Sequence, residues 1–79
     1  MYHVYLLRSV NHPSAIYTGY TTNMKQRLAD HNRGKSIYSS NYKPWQLEIC
    51  VTFMEKEKAV AFEKYLKSSS GRAFAKKHF

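Results

Sequence analysis

The sequence predicts an α/β domain, more narrowly α+β, with helices flanking a small, three-stranded and largely antiparallel sheet in the order ββαβαα. The chain opens with two short strand-like segments separated by a turn cluster. A segment near its middle alternates apolar and polar residues, and segments with helical periodicity lie on both sides of it. With 79 residues the chain has room for one core, so we expect a single domain over residues 1–79.

Alternation of side chains defines the strands. Along residues 2–8 it assigns side chains to two faces, with Tyr2, Val4 and Leu6 on one and His3, Tyr5 and Leu7 on the other. Turn residues at 11–14 should join this strand to a second over residues 15–19, which predicts a hairpin. The third strand, residues 45–53, alternates most clearly, and its apolar residues should share one face: Trp45, Leu47, Ile49, Val51 and Phe53.

The first helix is predicted over residues 24–33, with Thr22 or Asn23 as its N-cap. On a helical wheel at ~100° per residue, Arg27 and His31 lie on the apolar arc that should face the protein. A long arginine can reach outward from such an arc, and a buried histidine can bond to a backbone carbonyl. Two such residues one helical turn apart nevertheless indicate a shared functional role.

The remaining elements follow from turn residues and periodicity. Residues 35–44 are rich in Ser, Asn and Pro and are predicted to be a loop. A strong helix is expected over residues 55–67, and Ser70 is a candidate cap for a short last helix over residues 71–77.

Glu63 borders the apolar stripe of the predicted helix over residues 55–67. An ionised carboxylate at the edge of a core needs a cation. That cation could be Arg27, Lys67 or a divalent metal ion, and an ion pair that ties two helices together is as consistent with the pattern as a metal site.

The charge of the chain indicates a polyanionic partner. Thirteen Lys and Arg against five Asp and Glu give a net charge of +8. Residues 24–43 hold five basic residues against Asp30 alone, and residues 64–79 hold five with no acid. Nucleic acid is the commonest partner for such a surface, although a basic composition can also serve solubility alone.

Other classes of protein are disfavoured by the composition. Cys50 is the single cysteine, which excludes an intramolecular disulfide and a zinc site built from several thiolates. No signal peptide or transmembrane span is recognisable, so we expect a cytoplasmic protein that does not bind membranes.

Two tyrosines complete a set of candidate catalytic groups. Pairing of the first two strands would bring Tyr5 and Tyr17 to one face, although packing is the ordinary role of a strand tyrosine. Phenols, the guanidinium of Arg27, the imidazole of His31 and the carboxylate of Glu63 beside a basic surface suit phosphodiester hydrolysis.

The order of these residues resembles that of the GIY-YIG nuclease domain. The corresponding motifs are His3-Val4-Tyr5, Tyr17-Thr18-Gly19, a helix with Arg27 and His31, and Glu63 in a later helix. The likeness covers nearly the whole chain and is strongest to the smallest stand-alone bacterial members, the UPF0213 type. It implies metal-dependent cleavage of DNA on an antiparallel sheet flanked by helices.

The resemblance also implies roles for individual residues. Tyr5 and Tyr17 match the motif tyrosines, one of which is the candidate general base or water orienter. Arg27 would stabilise the scissile phosphate, His31 would assist proton transfer, and Glu63 would bind one Mg²⁺ or Mn²⁺. We expect nucleic acid to contact the motif glycine and residues of the basic regions: Gly19, Lys25, Arg33, Lys35, Lys67 and Arg72.

Departures from the family pattern keep other functions open. Tyr20 stands where excision-repair relatives carry a lysine, and no asparagine follows Asn41 to supply the helper of some restriction-enzyme relatives. The leading hypothesis is a DNA endonuclease of low sequence specificity, since no DNA-reading module is recognisable. The alternatives are a non-catalytic nucleic-acid-binding module and a small adaptor for a protein partner.

Overall fold

The computed structural model describes residues 1–35 and 37–79. Within these residues the chain forms strands and helices with the following bounds: β1 (Tyr2–Ser9), β2 (Ile16–Thr21), α1 (Met24–Asn32), α2 (Ile37–Ser40), β3 (Trp45–Phe53), α3 (Lys56–Lys67) and α4 (Ser69–His78). The strand order is β2-β1-β3, and both pairings are antiparallel. The predicted class, sheet and order of the main elements are therefore confirmed.

Several boundaries differ from the prediction. Strand β2 continues to Thr21, so the chain does not turn directly after the motif glycine. Helix α2 lies inside the predicted loop over residues 35–44, of which residue 36 lies outside the described residues. Asn23 caps α1 by accepting a hydrogen bond from the amide of Gln26, as one of the two predicted caps. Ser68, not Ser70, caps α4, because a tight junction leaves a single residue between α3 and α4.

Each face of the sheet carries its own core. On one face, which we call the α1 face, Tyr5, Leu7 and Trp45 form a buried cluster covered by Met24 and Leu28 of α1. On the opposite face, the α3 face, the buried cluster consists of Val4, Ala59 and Leu66, with several aromatic rings packed around it. Successive residues of β1 thus pack in different cores, as the alternation along this strand predicted.

A bulge in β3 corrects the prediction for that strand. Leu6 pairs with Ile49, but the next residue of β1 pairs with Leu47, so Glu48 has no partner opposite it. The extra residue reverses the alternation: Ile49, Val51 and Phe53 pair with the β1 residues of the α3 face, whereas Trp45 belongs to the α1 face. The five apolar residues of β3 therefore do not share one face.

Tyr20 packs against the core of the α3 face. Its ring stacks on that of Tyr2, with centroids 6.3 Å apart and planes 8° from parallel. Both rings pack against the apolar cluster of the α3 face.

In the described part of the chain, no helix has both the length and the apolar character needed to cross a membrane.

Candidate active site

A hydrogen-bonded chain of three side chains lies on the α1 face. The Nε of Arg27 donates to the hydroxyl of Tyr5 at 3.2 Å, and this hydroxyl lies 3.1 Å from Nε2 of His31. Tyr5 and His31 are 1% and 2% exposed, whereas Arg27 lies at the surface. The helical wheel therefore placed His31 correctly, and the long Arg27 side chain reaches inward from an exposed position.

The direction of the protons in this chain follows from the partners available. Because Arg27 has only donors, the hydroxyl oxygen of Tyr5 must accept from it. The phenolic proton then needs an acceptor, and Nε2 of a neutral His31 provides one. The second ring nitrogen of His31, Nδ1, is buried and has no hydrogen-bond partner among the described residues. We therefore assign the proton of the imidazole to Nδ1.

The pKa values of these groups agree with this assignment. Burial, followed by the nearby positive charge of Arg27, holds the pKa of His31 below its usual range, which favours the neutral ring. Burial raises the pKa of the Tyr5 phenol above its ordinary value, although the hydrogen bond and charge of Arg27 act in the opposite direction. Tyr5 is consequently a neutral phenol at neutral pH, held between a fixed donor and a fixed acceptor.

Tyr17 and Gly19 complete the arrangement from strand β2. The ring of Tyr17 lies with its centroid 4.5 Å from that of His31 and 6.3 Å from that of Tyr5. Gly19 pairs with Tyr5 across the sheet, and a Cβ there would collide with the Tyr5 phenol and lie 3.1 Å from the Tyr17 ring. Gly19 thus leaves the space in which the ring of Tyr5 packs against β2.

Two residues that the sequence pattern did not single out support this cluster. Trp45 is buried, places its ring 6.4 Å from that of Tyr17 and donates from Nε1 to the carbonyl of Ser39 at 2.9 Å. Asn32, next to His31, binds the backbone N–H and carbonyl of Trp45 through its amide group. The lone tryptophan could have drawn attention, but nothing in the sequence pattern distinguished Asn32.

Glu63 lies on α3, the helix that packs on the opposite face of the sheet. Its carboxylate is 3.3 Å from the Nζ of Lys67, one helical turn away. Lys67, one of the predicted candidates, is therefore a cation that lies beside Glu63 in the structure. Glu63 is close enough to Tyr5 that its negative charge adds to the raised pKa of that phenol, although burial is the main cause.

The chemistry of Glu63 fits a divalent ion that is held mainly by a substrate. In the described residues no group of three or more His, Cys, Asp and Glu side chains could hold a metal. Mg²⁺ is commonly bound by one or two carboxylates together with water and substrate phosphates, so a single glutamate is a sufficient protein ligand. The side chain of Glu63 is 21% exposed, and its ion pair within the described part of the chain is with Lys67, a long side chain that can move aside.

The predicted nucleic-acid-binding residues occupy two separate surfaces. Lys25, Arg33 and Lys35 are exposed on or just beyond α1, and the last two approach Asp30 at 3.9 and 3.4 Å. Lys67 and Arg72 lie instead at the junction of α3 and α4, where they line a groove together with Tyr17. The sequence did not indicate that Tyr17 is close to this second basic surface.

Comparison with known proteins decides the family. The family model described as the GIY-YIG catalytic domain matches residues 1–77. The chain belongs to the GIY-YIG family. A UPF0213 protein of Streptococcus pyogenes serotype M3 is 38% identical over 72 residues, which cover 90% of this chain and 76% of that protein. A UPF0213 protein of serotype M5, strain Manfredo, is 41% identical over 59 residues, covering 73% of this chain and 64% of that protein.

A eukaryotic relative connects this GIY-YIG domain to an enzyme. The structure-specific endonuclease subunit SLX1 of Debaryomyces hansenii is 39% identical over 68 residues, which cover 78% of this chain and 19% of that protein. The predicted membership of the GIY-YIG nuclease family is therefore confirmed, as is the likeness to the UPF0213 type.

Proposed function

We propose that this protein is a metal-dependent endonuclease that hydrolyses phosphodiester bonds in DNA with low sequence specificity. The observation that carries the proposal is the chain Arg27–Tyr5–His31, which fixes an exposed guanidinium beside a second phenol, Tyr17. This is an arrangement suited to a phosphate, because a fixed cation and an oriented hydroxyl meet at the surface of a rigid sheet.

Burial divides the residues of the cluster into two roles. Tyr5 and His31 are almost completely buried, so they act as positioning residues that hold Arg27. Tyr17 is only partly buried and lines an open groove, which makes it the phenol that can meet water and substrate. We therefore propose Tyr17 as the residue that orients the attacking water.

Arg27 is proposed to stabilise the charge that develops on the phosphate and on the leaving oxygen. Its Nε is already used by Tyr5, and this bond fixes the plane of the guanidinium. The hydrogen bond to Tyr5 also raises the pKa of Arg27, whose guanidinium is charged at every physiological pH. Removal of one such preorganised donor costs about 10²–10³ in rate in other enzymes.

Glu63 is the proposed protein ligand of Mg²⁺ or Mn²⁺. When bound, the ion supplies Lewis-acid stabilisation of the phosphate oxygens. The residue must exchange its contact with Lys67 for the ion, and because Lys67 is 54% exposed this contact is weakly held. Low sequence specificity is proposed because the candidate contacts are lysines and arginines, which bind the sequence-independent phosphate backbone.

A plasmid-nicking assay with two matched glutamate variants tests the proposal. Supercoiled plasmid is incubated with Mg²⁺ or Mn²⁺ and with wild type, Glu63→Gln or Glu57→Gln, after circular dichroism has verified folding. Glu57 is an exposed acid on the same helix, so it controls for the loss of one charge. We expect Glu63→Gln to lose at least about 100-fold in nicking rate, whereas Glu57→Gln stays within about two-fold of wild type.

Equal nicking by wild type and Glu63→Gln would show that the activity does not depend on this site and would end the proposal. A non-catalytic nucleic-acid-binding module is the second candidate, and the contact between Lys67 and Glu63 favours it. In that case neither wild type nor either variant cleaves DNA, while Arg27→Ala still weakens DNA binding.

A further inference from the structure

A groove lies on the α3 face, between the sheet and α4. Its lining residues come mainly from the three strands, the end of α3 and α4, and its volume is about 920 Å³. This lies at the upper end of the range for ligand pockets. We call it the α4 groove. It is distinct from the buried core of the α1 face, but Tyr17 belongs to both, because it lines the groove and also contacts His31.

The charges that line the α4 groove are mostly positive. Four basic residues contribute to its walls: Arg8, Lys67, Arg72 and Lys76. The single acid among the lining residues is Glu48, and it is already paired with Arg8. Lys67 is paired with Glu63, so Arg72 and Lys76 are the lining cations without an ion pair among the described residues, and a polyanion that entered the groove would meet a surplus of positive charge.

Apolar side chains make up much of the rest of the lining of the α4 groove. Leu6, Ile16 and Phe79 are among them, and the Phe79 ring packs edge-on against Phe74 at 5.6 Å. A lining that combines cations with apolar groups suits single-stranded nucleic acid, because exposed bases can rest on apolar groups while phosphates meet lysine and arginine. A duplex would leave the apolar groups unused, since its bases are stacked inside.

We propose that the α4 groove binds a single-stranded segment of nucleic acid that adjoins the scissile phosphate. Arg72 and Lys76 would contact its phosphates, and Phe79 with Ile16 would pack against its bases. Because Tyr17 lines the groove, the strand in it leads directly to the proposed active site. The inference rests on the proposed function in naming the substrate: DNA that is single-stranded on one side of the cleaved bond.

Binding of a fluorescent single-stranded oligonucleotide, followed by anisotropy without divalent metal, tests this groove. The double variant Arg72→Ala/Lys76→Ala removes two groove cations. The control Lys64→Ala/Lys77→Ala removes two exposed lysines of α3 and α4 that do not line the groove, so the net charge changes equally. We expect the groove variant to bind about 10-fold more weakly at low salt and to lose about 1.4 from its log–log salt slope, with the control within about two-fold of wild type.

A duplex of equal length provides the comparison that defines the strand preference. The groove variant should lose less affinity for the duplex than for the single strand. Equal losses in the groove and control variants would overturn the proposal, because binding would then follow net charge alone. Tighter binding of a poly-glutamate peptide than of the oligonucleotide would also overturn it and indicate an acidic protein partner.

Parallel nicking assays separate this inference from the proposed function. If wild type nicks DNA but the groove and control variants bind single strands equally well, the groove proposal fails and the nuclease stands. If the groove variant alone loses single-strand affinity while no variant or wild type cleaves, the groove is supported and the nuclease proposal fails.

Discussion

The two faces of the sheet differ in the kind of side chain that forms their cores. The core of the α1 face is full of polar groups: Tyr5, His31, Ser39 and Trp45 are all buried there, and most of their polar atoms are hydrogen-bonded. The core of the α3 face consists of aliphatic residues and aromatic rings. A domain of 79 residues thus keeps one largely apolar core and holds its candidate functional side chains in the other.

The two cores therefore contribute differently: the α3 face mainly stabilises the fold, and the α1 face mainly positions particular side chains. Apolar contacts on the α3 face are non-directional, and they stabilise the fold in proportion to the area that they remove from water. Hydrogen bonds on the α1 face add little net stability each, but they hold particular atoms in particular places. Adjacent residues of β1, such as Val4 and Tyr5, point to different faces and should therefore give different results when they are changed.

The largest effect is expected from Tyr17→Phe, compared with Tyr5→Phe. Loss of the hydroxyl that we propose to orient the attacking water should lower the nicking rate by about 10²-fold or more, with a small change in the free energy of unfolding. Tyr5→Phe leaves Arg27 and His31 without their shared partner and should lower the free energy of unfolding by about 1–2 kcal/mol. Single-turnover nicking and urea unfolding measure the two quantities. An unchanged rate in Tyr17→Phe would contradict the division of roles.

Val4→Ala should give the next largest effect, and only on stability. Val4 is 1% exposed in the apolar cluster of the α3 face. The loss of two methyl groups and the cavity left behind should lower the free energy of unfolding by about 2 kcal/mol, measured by urea denaturation. The nicking rate of the folded variant at low temperature should equal that of wild type. A large loss of rate there would show that the two faces are not independent.

The smallest effect is a pH dependence of stability that comes from His31. Because the pKa of His31 is lower in the folded state than the usual ~6.5, the unfolded chain binds more protons below that pH. The contribution of His31 is therefore complete above pH ~6.5 and is lost as the pH falls toward the folded-state pKa. Urea unfolding of wild type and His31→Gln at pH 7.5 and 5.0 tests this, and the variant should lose less stability on acidification. An equal loss in both proteins would contradict the neutral assignment of the imidazole.

Local patterns predicted the main features of the fold well. The alternation in β1 correctly divided its side chains between two faces, and the wheel of α1 correctly placed His31 inside. These features depend on residues close in sequence, where the periods of helix and strand are fixed by geometry. The helical period also predicted that Glu63 borders the apolar stripe of its helix and that Lys67, four residues later, lies near it.

Features that depend on distant partners could not be predicted in this way. The bulge in β3 follows from pairing with β1, and the regular alternation of residues 45–53 concealed it. The bonds from Asn32 to Trp45 join residues whose contact becomes visible only when α1 lies against β3. The α4 groove likewise combines residues from both ends of the chain, including Arg8 and Lys76, which the charge pattern alone did not bring together.

The bulge beside Glu48 also limits how this domain can vary. If β3 kept its length and paired with β1 in a continuous register, Glu48 would lie opposite Leu7 and Trp45 would turn to the other face, away from Tyr17. Deletion of Glu48 would keep Trp45 opposite Ser9 but would remove the carboxylate that pairs with Arg8 in the groove. The bulge therefore places Trp45 on one face and Glu48 beside the groove on the other, and a regular sheet of unchanged length would have to support the candidate active site from another element.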